Sequence, residues 1–433
     1  MANVGAFEDI TTELKNAYPP GTFEEPVNKE SKYRRDLQRV DLMMNEGIAK
    51  FPLGIASAWN VGLIADVGNF PTPYDPTRVQ GEVTPELFVG SFQIGVKTKV
   101  AAKSTKGTFN QGGIMADRVE NTVAELGKYI NKVYAGSQGQ TAIGGVYGGG
   151  VMATVESNDG ASTLTLDKPL GAELLNRGMR ISIVNPGAAV RAGWGTPGVL
   201  AERVISAIDR DARTITYTLG DDATVAAGDE VFVFGTYGRT IWSLSMIIGD
   251  SSDSAEIFEQ ARATYPELNS FIVDAGGADL TEQLILQSLD LPRRETGKRI
   301  SKALTNTGQA RKYVEFIQAE RRYPGPTGSA PRYTIGYDED SLQILAPGIN
   351  VKLEVDFDIE PRRIYFLCWE TFGRYTSMDV DWIDDDALLK MIPTDGGHKA
   401  GFLAYVGCVE NQINTMPRAS SRLENLADPI CGD

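Results

Sequence analysis

The sequence predicts an α+β fold, and three observations carry that prediction: one long amphipathic helix pattern, a block of short strand-like runs behind it, and mixed helix and strand patterns beyond Trp242. The helix is the clearest element. Over residues 113–135, Met115, Val119, Val123, Leu126, Ile130 and Val133 recur at spacings of three and four, while Asp117, Arg118, Glu120, Glu125, Lys128 and Lys132 take the other side. At 1.5 Å per residue such a helix reaches roughly 33 Å. Gly127 inside it costs up to about 1 kcal/mol relative to alanine, which points to a close backbone approach or a hinge. Gly136 is the expected left-handed residue that ends it.

Ahead of the helix the chain is built differently. Residues 7–18 read as a short amphipathic helix that stops at Pro19-Pro20-Gly21. Residues 22–50 interleave Lys32, Arg34, Arg35 and Arg39 with Glu30, Asp36 and Asp41 and carry few apolar positions before Leu42, so they read as an extended, solvated arm. Residues 60–86 hold Gly62, Gly68, Pro71, Pro73, Pro76, Gly81 and Pro85, a density of breakers that forbids a long helix. Phe88, Phe92, Ile94, Val96 and Val100 then share one parity, the period of a strand with one apolar face. Residues 51–110 are therefore expected to form a hairpin-like excursion that packs outside its own domain.

Behind the helix, strands are expected at Val151–Glu156, Thr163–Leu166, Met179–Val184, Ala201–Ile208, Thr214–Leu219 and Glu230–Phe234, separated by turn signals such as Asn158-Asp159-Gly160 and Asn185-Pro186-Gly187. This block reads as a β-rich insertion. Farther on, Leu280–Leu289 and Gly308–Arg321 have helical spacing, Asn350–Val355 and Ile364–Trp369 read as strands, and Tyr323–Arg332 reads as a loop.

Composition narrows the function. A net charge of −15 over 433 residues opposes a phosphate backbone, which argues against a dedicated nucleic-acid reader. Three cysteines, Cys368, Cys408 and Cys431, do not make a disulfide framework and fit a reducing compartment with inert thiols. The start of the sequence lacks the basic and apolar regions of a signal peptide, and no apolar stretch approaches the length of a membrane span, so a soluble, non-secreted protein is expected.

Catalytic patterns are equally sparse. His398 is the single histidine, reads as a loop residue beside Gly396-Gly397, and has no Gly-x-Ser-x-Gly partner. The cysteine spacing does not suit zinc. Gly144-Gly145 and Gly148-Gly149-Gly150 lack the Lys-Ser/Thr ending of a phosphate loop and read as turn material. Asp379, Asp381, Asp384, Asp385 and Asp386 begin like a calcium loop, but Ile383 takes a ligand position, so a solvated strand end is the plainer reading. No catalytic residue, metal or cofactor is expected.

The order of these segments resembles the major capsid proteins of tailed bacteriophages, the Hong Kong 97-type fold. The resemblance rests on element order and on short runs: Tyr134-Ala135-Gly136-Ser137-Gln138-Gly139 ahead of the β-rich stretch, Ala227-Gly228-Asp229-Glu230-Val231 within it, Tyr265-Pro266-Glu267-Leu268-Asn269-Ser270, Gly276-Gly277-Ala278-Asp279-Leu280-Thr281, and Pro417-Arg418-Ala419-Ser420 leading to Leu423-Glu424-Asn425-Leu426. It implies an N-terminal arm (1–50), an extended β-hairpin loop (51–110) and a spine helix of a peripheral domain (111–137). A β-rich insertion (138–240), an axial domain with adjoining peripheral segments (241–385) and a returning peripheral segment (386–433) follow.

By that resemblance the chain is a non-enzymatic subunit that assembles with itself as hexamers and pentamers into an icosahedral virion shell around double-stranded DNA, built in the host cytoplasm. Arg34, Arg35, Trp59, Phe70, Phe92 and Ile94 are the candidate inter-subunit contacts, and Gly127 is the candidate maturation hinge. The arm follows no long charged propeptide helix, which implies a separate scaffolding protein; a portal and a decoration protein are further implied partners. Neither Lys97 nor Lys103 is supported by a motif as a covalent crosslinking residue. An encapsulin-like cargo compartment is the alternative within the same fold, and a carboxylate-based glycosidase with a β accessory module is the alternative of another class.

Overall fold

A computed structural model of the chain describes residues 22–42, 44–45, 47–56, 77–95, 111–139, 148–159, 162–167, 170–186, 195–196, 199–200, 203–218, 225–320, 343–346, 349–383, 390–394 and 397–427. The expected helix over residues 7–18, the Tyr323–Arg332 loop, Trp59, Phe70 and Cys431 lie outside these residues. The described chain is mixed helix and sheet and divides into two compact units, each assembled from separate stretches of sequence.

The first unit draws on described residues within 1–41, 85–131 and 374–411. Its sheet is ordered Gln38–Val40, Phe372–Trp382, Gly397–Asn414 and Lys390–Thr394, and Glu86–Gly95 also pairs with Gly397–Asn414. That last pairing is antiparallel and runs unbroken from Glu86 opposite Glu410 to Gly95 opposite Gly401. Alternation sorts the side chains as a pleated strand demands: Phe88 and Phe92 are buried, whereas Leu87 and Val89 are exposed. The buried parity meets the Gln111–Asn131 helix. Phe88 lies edge-on to Tyr129 at 5.9 Å, and a Cβ on Gly90 would come within 2.8 Å of the Thr122 methyl, so glycine lets helix and sheet close up.

Two short helices, Glu24–Glu30 and Lys32–Asp36, correct the expected extended arm. Phe23, Val27, Tyr33 and Leu37 are buried, so this stretch is part of the unit's core rather than a solvated strand of chain. Gly127 is not a bend: the Gln111–Asn131 helix runs through it unbroken. A Cβ there would stand 2.9 Å from the Val27 carbonyl oxygen and 3.0 Å from the Glu30 Cβ. Glycine is present because two helices touch at their backbones. The irregularity comes later, in a π-helical turn over Lys132–Gly136. Gly136 accordingly does not end the helix in a left-handed conformation; it is closely packed against the Asp358 carbonyl and the Leu174 side chain.

The second unit draws on described residues within 42–84, 132–373 and 412–433. Strands Val151–Asn158, Thr163–Leu166, Arg180–Val184, Arg203–Asp209, Thr214–Thr218 and Glu230–Val233 close into a barrel, every pairing antiparallel. Closure leaves no exposed strand edge. Each of the six strand runs read from the sequence corresponds to one of these strands within two residues at either end. A six-stranded sheet orders Phe271–Asp274, Ser421–Glu424, Ile364–Leu367, Lys302–Thr305, Ile349–Val355 and Gln343–Ala346. Its core holds Val273, Ile285, Leu289, Ile300, Phe366 and Leu423 beneath the Glu282–Thr296 helix. That helix starts on Thr281, whose side chain accepts from the Leu284 N–H, and ends at Gly297 with φ 69°. The strand Ser421–Glu424 lies inside this sheet, which corrects the assignment of the whole of 386–433 to one returning segment.

Candidate assembly elements

The most concentrated chemistry of the first unit is a buried ionic cluster. Arg34 donates from Nε and Nη2 to the two carboxylate oxygens of Glu410 at 2.7 and 2.8 Å, with both side chains wholly inaccessible. Arg374 donates to the same carboxylate at 2.8 Å, both arginines donate to Glu24, and Asn28 completes the shell of Arg34. Two guanidinium groups thus face two carboxylates. Burial disfavours the charge on Arg34, but Glu410 and Glu24 outweigh it and raise its pKa. For Glu24 burial again opposes charge, and Arg34 with Arg374 more than compensates, so the carboxyl is held below its usual range. This cluster ties the Lys32–Asp36 helix to two sheet strands and leaves Arg34 no surface to offer another subunit, which corrects its expected role.

Arg35, by contrast, is half exposed and bonds Asp36 at 3.0 Å. Phe92 is buried and leans on Trp382 at 6.2 Å, so its ring belongs to the unit's interior and not to a contact with another chain. Ile94 stands opposite Phe402 in the sheet; its side chain lies outside the described residues, as do Trp59 and Phe70. Residues 51–110 are not one excursion, because Glu86–Gly95 is a sheet strand.

The hairpin itself is present: Ile48–Ala56 pairs antiparallel with Thr77–Val83. Its paired strands are anchored within the second unit. Phe51 meets Phe258 edge-on at 5.0 Å, Phe258 in turn meets Trp242 at 4.9 Å, and the Glu82 N–H donates to the Phe258 carbonyl at 3.0 Å. Lys50 pairs with Glu82 across the strands at 2.9 Å. Residues 57–76, between the paired strands, lie outside the described residues.

Two buried arginines in the second unit look at first like an anion site. Arg262 donates to the carbonyls of Met246, Gly249 and Leu268, and Arg422 donates to those of Ser245 and Ile248 and to both oxygens of Asp253. Four of these bonds go to carbonyls of residues 245–249, at and just past the Leu244–Ile247 helix, as cations at a helix C-terminus do, and Leu268 and Asp253 accept the others. Burial lowers the Arg262 pKa to about 10. Glu360 is likewise an internal partner: burial pushes its carboxyl up, against the pull of Arg363 at 2.8 Å.

The remaining candidates take structural places. Burial pushes the Cys368 thiol up to about 11 and the Cys408 thiol well above its ordinary value, so neither is an activated nucleophile at neutral pH. His398 sits in a strand opposite Pro393 and not in a loop. Asp379 pairs with Arg39 at 2.8 Å, and Asp381 accepts from the Trp382 N–H; among the described residues no group of His, Cys, Asp and Glu could hold a metal ion. Gly148-Gly149-Gly150 is buried backbone, not surface turn, with Gly149 and Gly150 bonded to Ile241 and Ser137. No helix among the described residues is long and apolar enough to cross a membrane.

Sequence reading missed Glu24, Glu410, Arg374 and Phe258. Each acts through a partner far away in the chain, as with Arg34 and Glu410, 376 positions apart, and no local pattern signals such a pairing.

No family model and no curated protein matches the chain. Among solved structures it is similar to the capsid asymmetric unit of cyanophage A-1(L), at 12% identity over 90% of this chain and 91% of that one, with a TM-score of 0.48. It is also similar to the capsid of an empty GTA particle, at 8% identity, 92% and 90% coverage and a TM-score of 0.41. A third similarity is to the virus-like particle of Pyrococcus furiosus, at 8% identity, 93% and 96% coverage and a TM-score of 0.38.

Proposed function

We propose that this chain is the structural subunit of a protein shell, a major capsid protein of the tailed-bacteriophage type. One observation carries the reading: the order of elements along the chain. Along the chain come a β-hairpin (Ile48–Ala56 with Thr77–Val83), a sheet strand, the Gln111–Asn131 helix, a closed barrel and a six-stranded sheet, and this order supports the reading. Phe51 and Phe258 fix the paired strands of the hairpin to their own unit, and in this reading the segment joining those strands contacts a neighbouring subunit.

In this reading the subunits form hexamers and pentamers, because heterologous contacts that close around a ring generate capsomers. The shell encloses double-stranded DNA without reading its sequence, in keeping with a net charge of −15. A separate scaffolding protein, a portal and a decoration protein are its partners, and the capsid is assembled in the host cytoplasm. The protein is not an enzyme.

The test is negative-stain electron microscopy of the purified full chain, alone and co-expressed with the neighbouring gene products of its source. Closed shells that protect DNA from nuclease are the expected result. Shells filled with protein instead of DNA would move the chain to the cargo-compartment reading, and a stable monomer under every condition would sink the proposal.

A further inference from the structure

Among the described residues of the second unit, Glu360, Arg363, Glu424, Arg422 and Asp253 form one connected run of charges. Arg363 stands 2.8 Å from Glu360 and 3.6 Å from Glu424, while Arg422 reaches Glu424 at 2.7 Å and Asp253 at 3.0 Å. Arg422 is 2% exposed and Glu360 4%. Three carboxylates thus share two guanidinium groups. The next charges outward, Arg262 and Asp250, offset each other, and Arg262 spends its hydrogen bonds on the carbonyls of Met246, Gly249 and Leu268 and on Asn269 Oδ1. Asp356 and Asp358 precede Glu360 on its own loop, the buried Tyr365 phenol faces Arg363, and Lys132 of the π-helical turn donates to the Leu174 carbonyl at 2.7 Å. A buried run of charges left with one carboxylate in excess is most readily neutralised by a proton.

Geometry selects Glu360 as the group that takes it. Glu424 lies between both guanidinium groups, and both oxygens of Asp253 accept from Arg422. Glu360 has one guanidinium, that of Arg363, and the Gln138 amide at 3.3 Å, and both meet its Oε2. A proton on Oε1 therefore costs neither bond. Burial, with Glu424 in support, favours the neutral carboxyl against Arg363 and Arg422.

Glu360 also stands where two parts of the unit meet. Gln138 follows the Lys132–Gly136 turn, and its N–H donates to the carbonyl of Val151, the first residue of the barrel, at 3.0 Å. Gly136 of the same turn packs on the Asp358 carbonyl, two residues ahead of Glu360. We propose that Glu360 is a proton-operated catch between the 356–363 loop and the turn that leads into the barrel, closed while Oε1 carries a proton and loosened when the carboxyl ionises. The catch belongs to the isolated subunit and stands apart from the shell reading.

An acid whose folded pKa lies above its unfolded value stabilises the fold where it is protonated. The contribution of Glu360 is complete below the ordinary 4.5 and is lost as pH rises through the higher folded value. Glu24, held below its usual range, acts in the opposite direction and below that window.

Hydrogen exchange read by mass spectrometry tests the catch on the full-length chain, over peptides covering residues 132–139 and 356–363. It is measured from about pH 5 to about pH 8 and corrected for the intrinsic exchange rate at each pH. Wild-type protection should fall several-fold as pH rises; equal protection across the range overturns the proposal. In Glu360→Gln, which cannot ionise, protection should stay at the acid level throughout, and a pH dependence like that of the wild type overturns it. Glu424→Gln is a second, independent variant. With one neighbouring negative charge removed, the fall in protection should move to lower pH, whereas a uniform loss of protection with an unmoved midpoint would reduce the network to a structural role and overturn the proposal.

Discussion

Arg34 and Glu410 form a two-pronged ion pair at 2.7 and 2.8 Å in which neither side chain touches solvent. It joins a helix near the start of the chain to a strand near its end. A charge taken out of water is tolerated only when its partners replace the lost hydration, and here Arg374, Glu24 and Asn28 supply the rest.

Removing one partner should therefore cost far more than an exposed pair would. Glu410→Gln and Arg34→Met are each expected to destabilise the first unit by about 3 to 5 kcal/mol, the usual penalty for leaving a buried charge uncompensated. Denaturant unfolding checks it, and a loss below about 1 kcal/mol, the range of surface pairs, would contradict the burial.

Acid should attack the same cluster through Glu24. Its folded carboxyl titrates below the ordinary 4.5, so its contribution is complete above that value and is lost as pH falls through the lower folded value. Unfolding midpoints measured between pH 6 and 3 should drop steeply below about pH 4.5 in the wild type, and less steeply in Glu24→Gln. Identical acid limbs in the two proteins would exclude Glu24 from the effect.

Gly127→Ala separates a packing role from a hinge. Alanine is the better helix former by about 1 kcal/mol, so a glycine kept only for flexibility would give a more stable variant. Backbone atoms of Val27 at 2.9 and 3.3 Å from the added Cβ cannot swing aside. Overpacking of about 1 to 3 kcal/mol should win, and the thermal midpoint should fall.

The turn between Glu256–Ile257 and Gln260–Ala261 holds Phe258 at φ 51° and Glu259 at φ 62°. Phe258 is kept there by its ring contacts with Phe51 and Trp242, whereas the Glu259 side chain is exposed. Glu259→Gly should thus relieve left-handed strain and stabilise the protein by about 1 kcal/mol in denaturant unfolding.

For the shell reading, replacing residues 58–75 by a short Gly-Ser linker keeps both paired strands of the hairpin. Circular dichroism and the thermal midpoint should be nearly unchanged while closed shells disappear from electron micrographs. Shells of normal form in this variant would refute a role in assembly for the residues between the paired strands.

How far the sequence could be read depended on the distance between the residues that decide each feature. The stripe from Val119 to Val133, the six strand runs of the barrel and the helical spacing of Leu280–Leu289 rest on residues within a few positions of one another. The patterns there predicted the elements. Residues 24–36 failed for the opposite reason. Their mixed charges have the composition of a solvated arm, and only Glu410 and Arg374, brought near by folding, make it favourable to bury Arg34.

The acidic, glycine-rich sequence of 433 residues pointed to a large chain of mixed helix and sheet, a long helix, a strand-rich block and no familiar catalytic motif, because composition and periodicity are local properties. Which surfaces were buried could not be local. Gly127 became a point of helix contact rather than a hinge because Val27 packs on it, and Phe92 became interior because Trp382 packs on it. Sheet register did the rest: with a period of two, pairing Val89 opposite Gly407 sends Phe88 toward the helix and leaves Leu87, Val89 and Tyr405 on the open face.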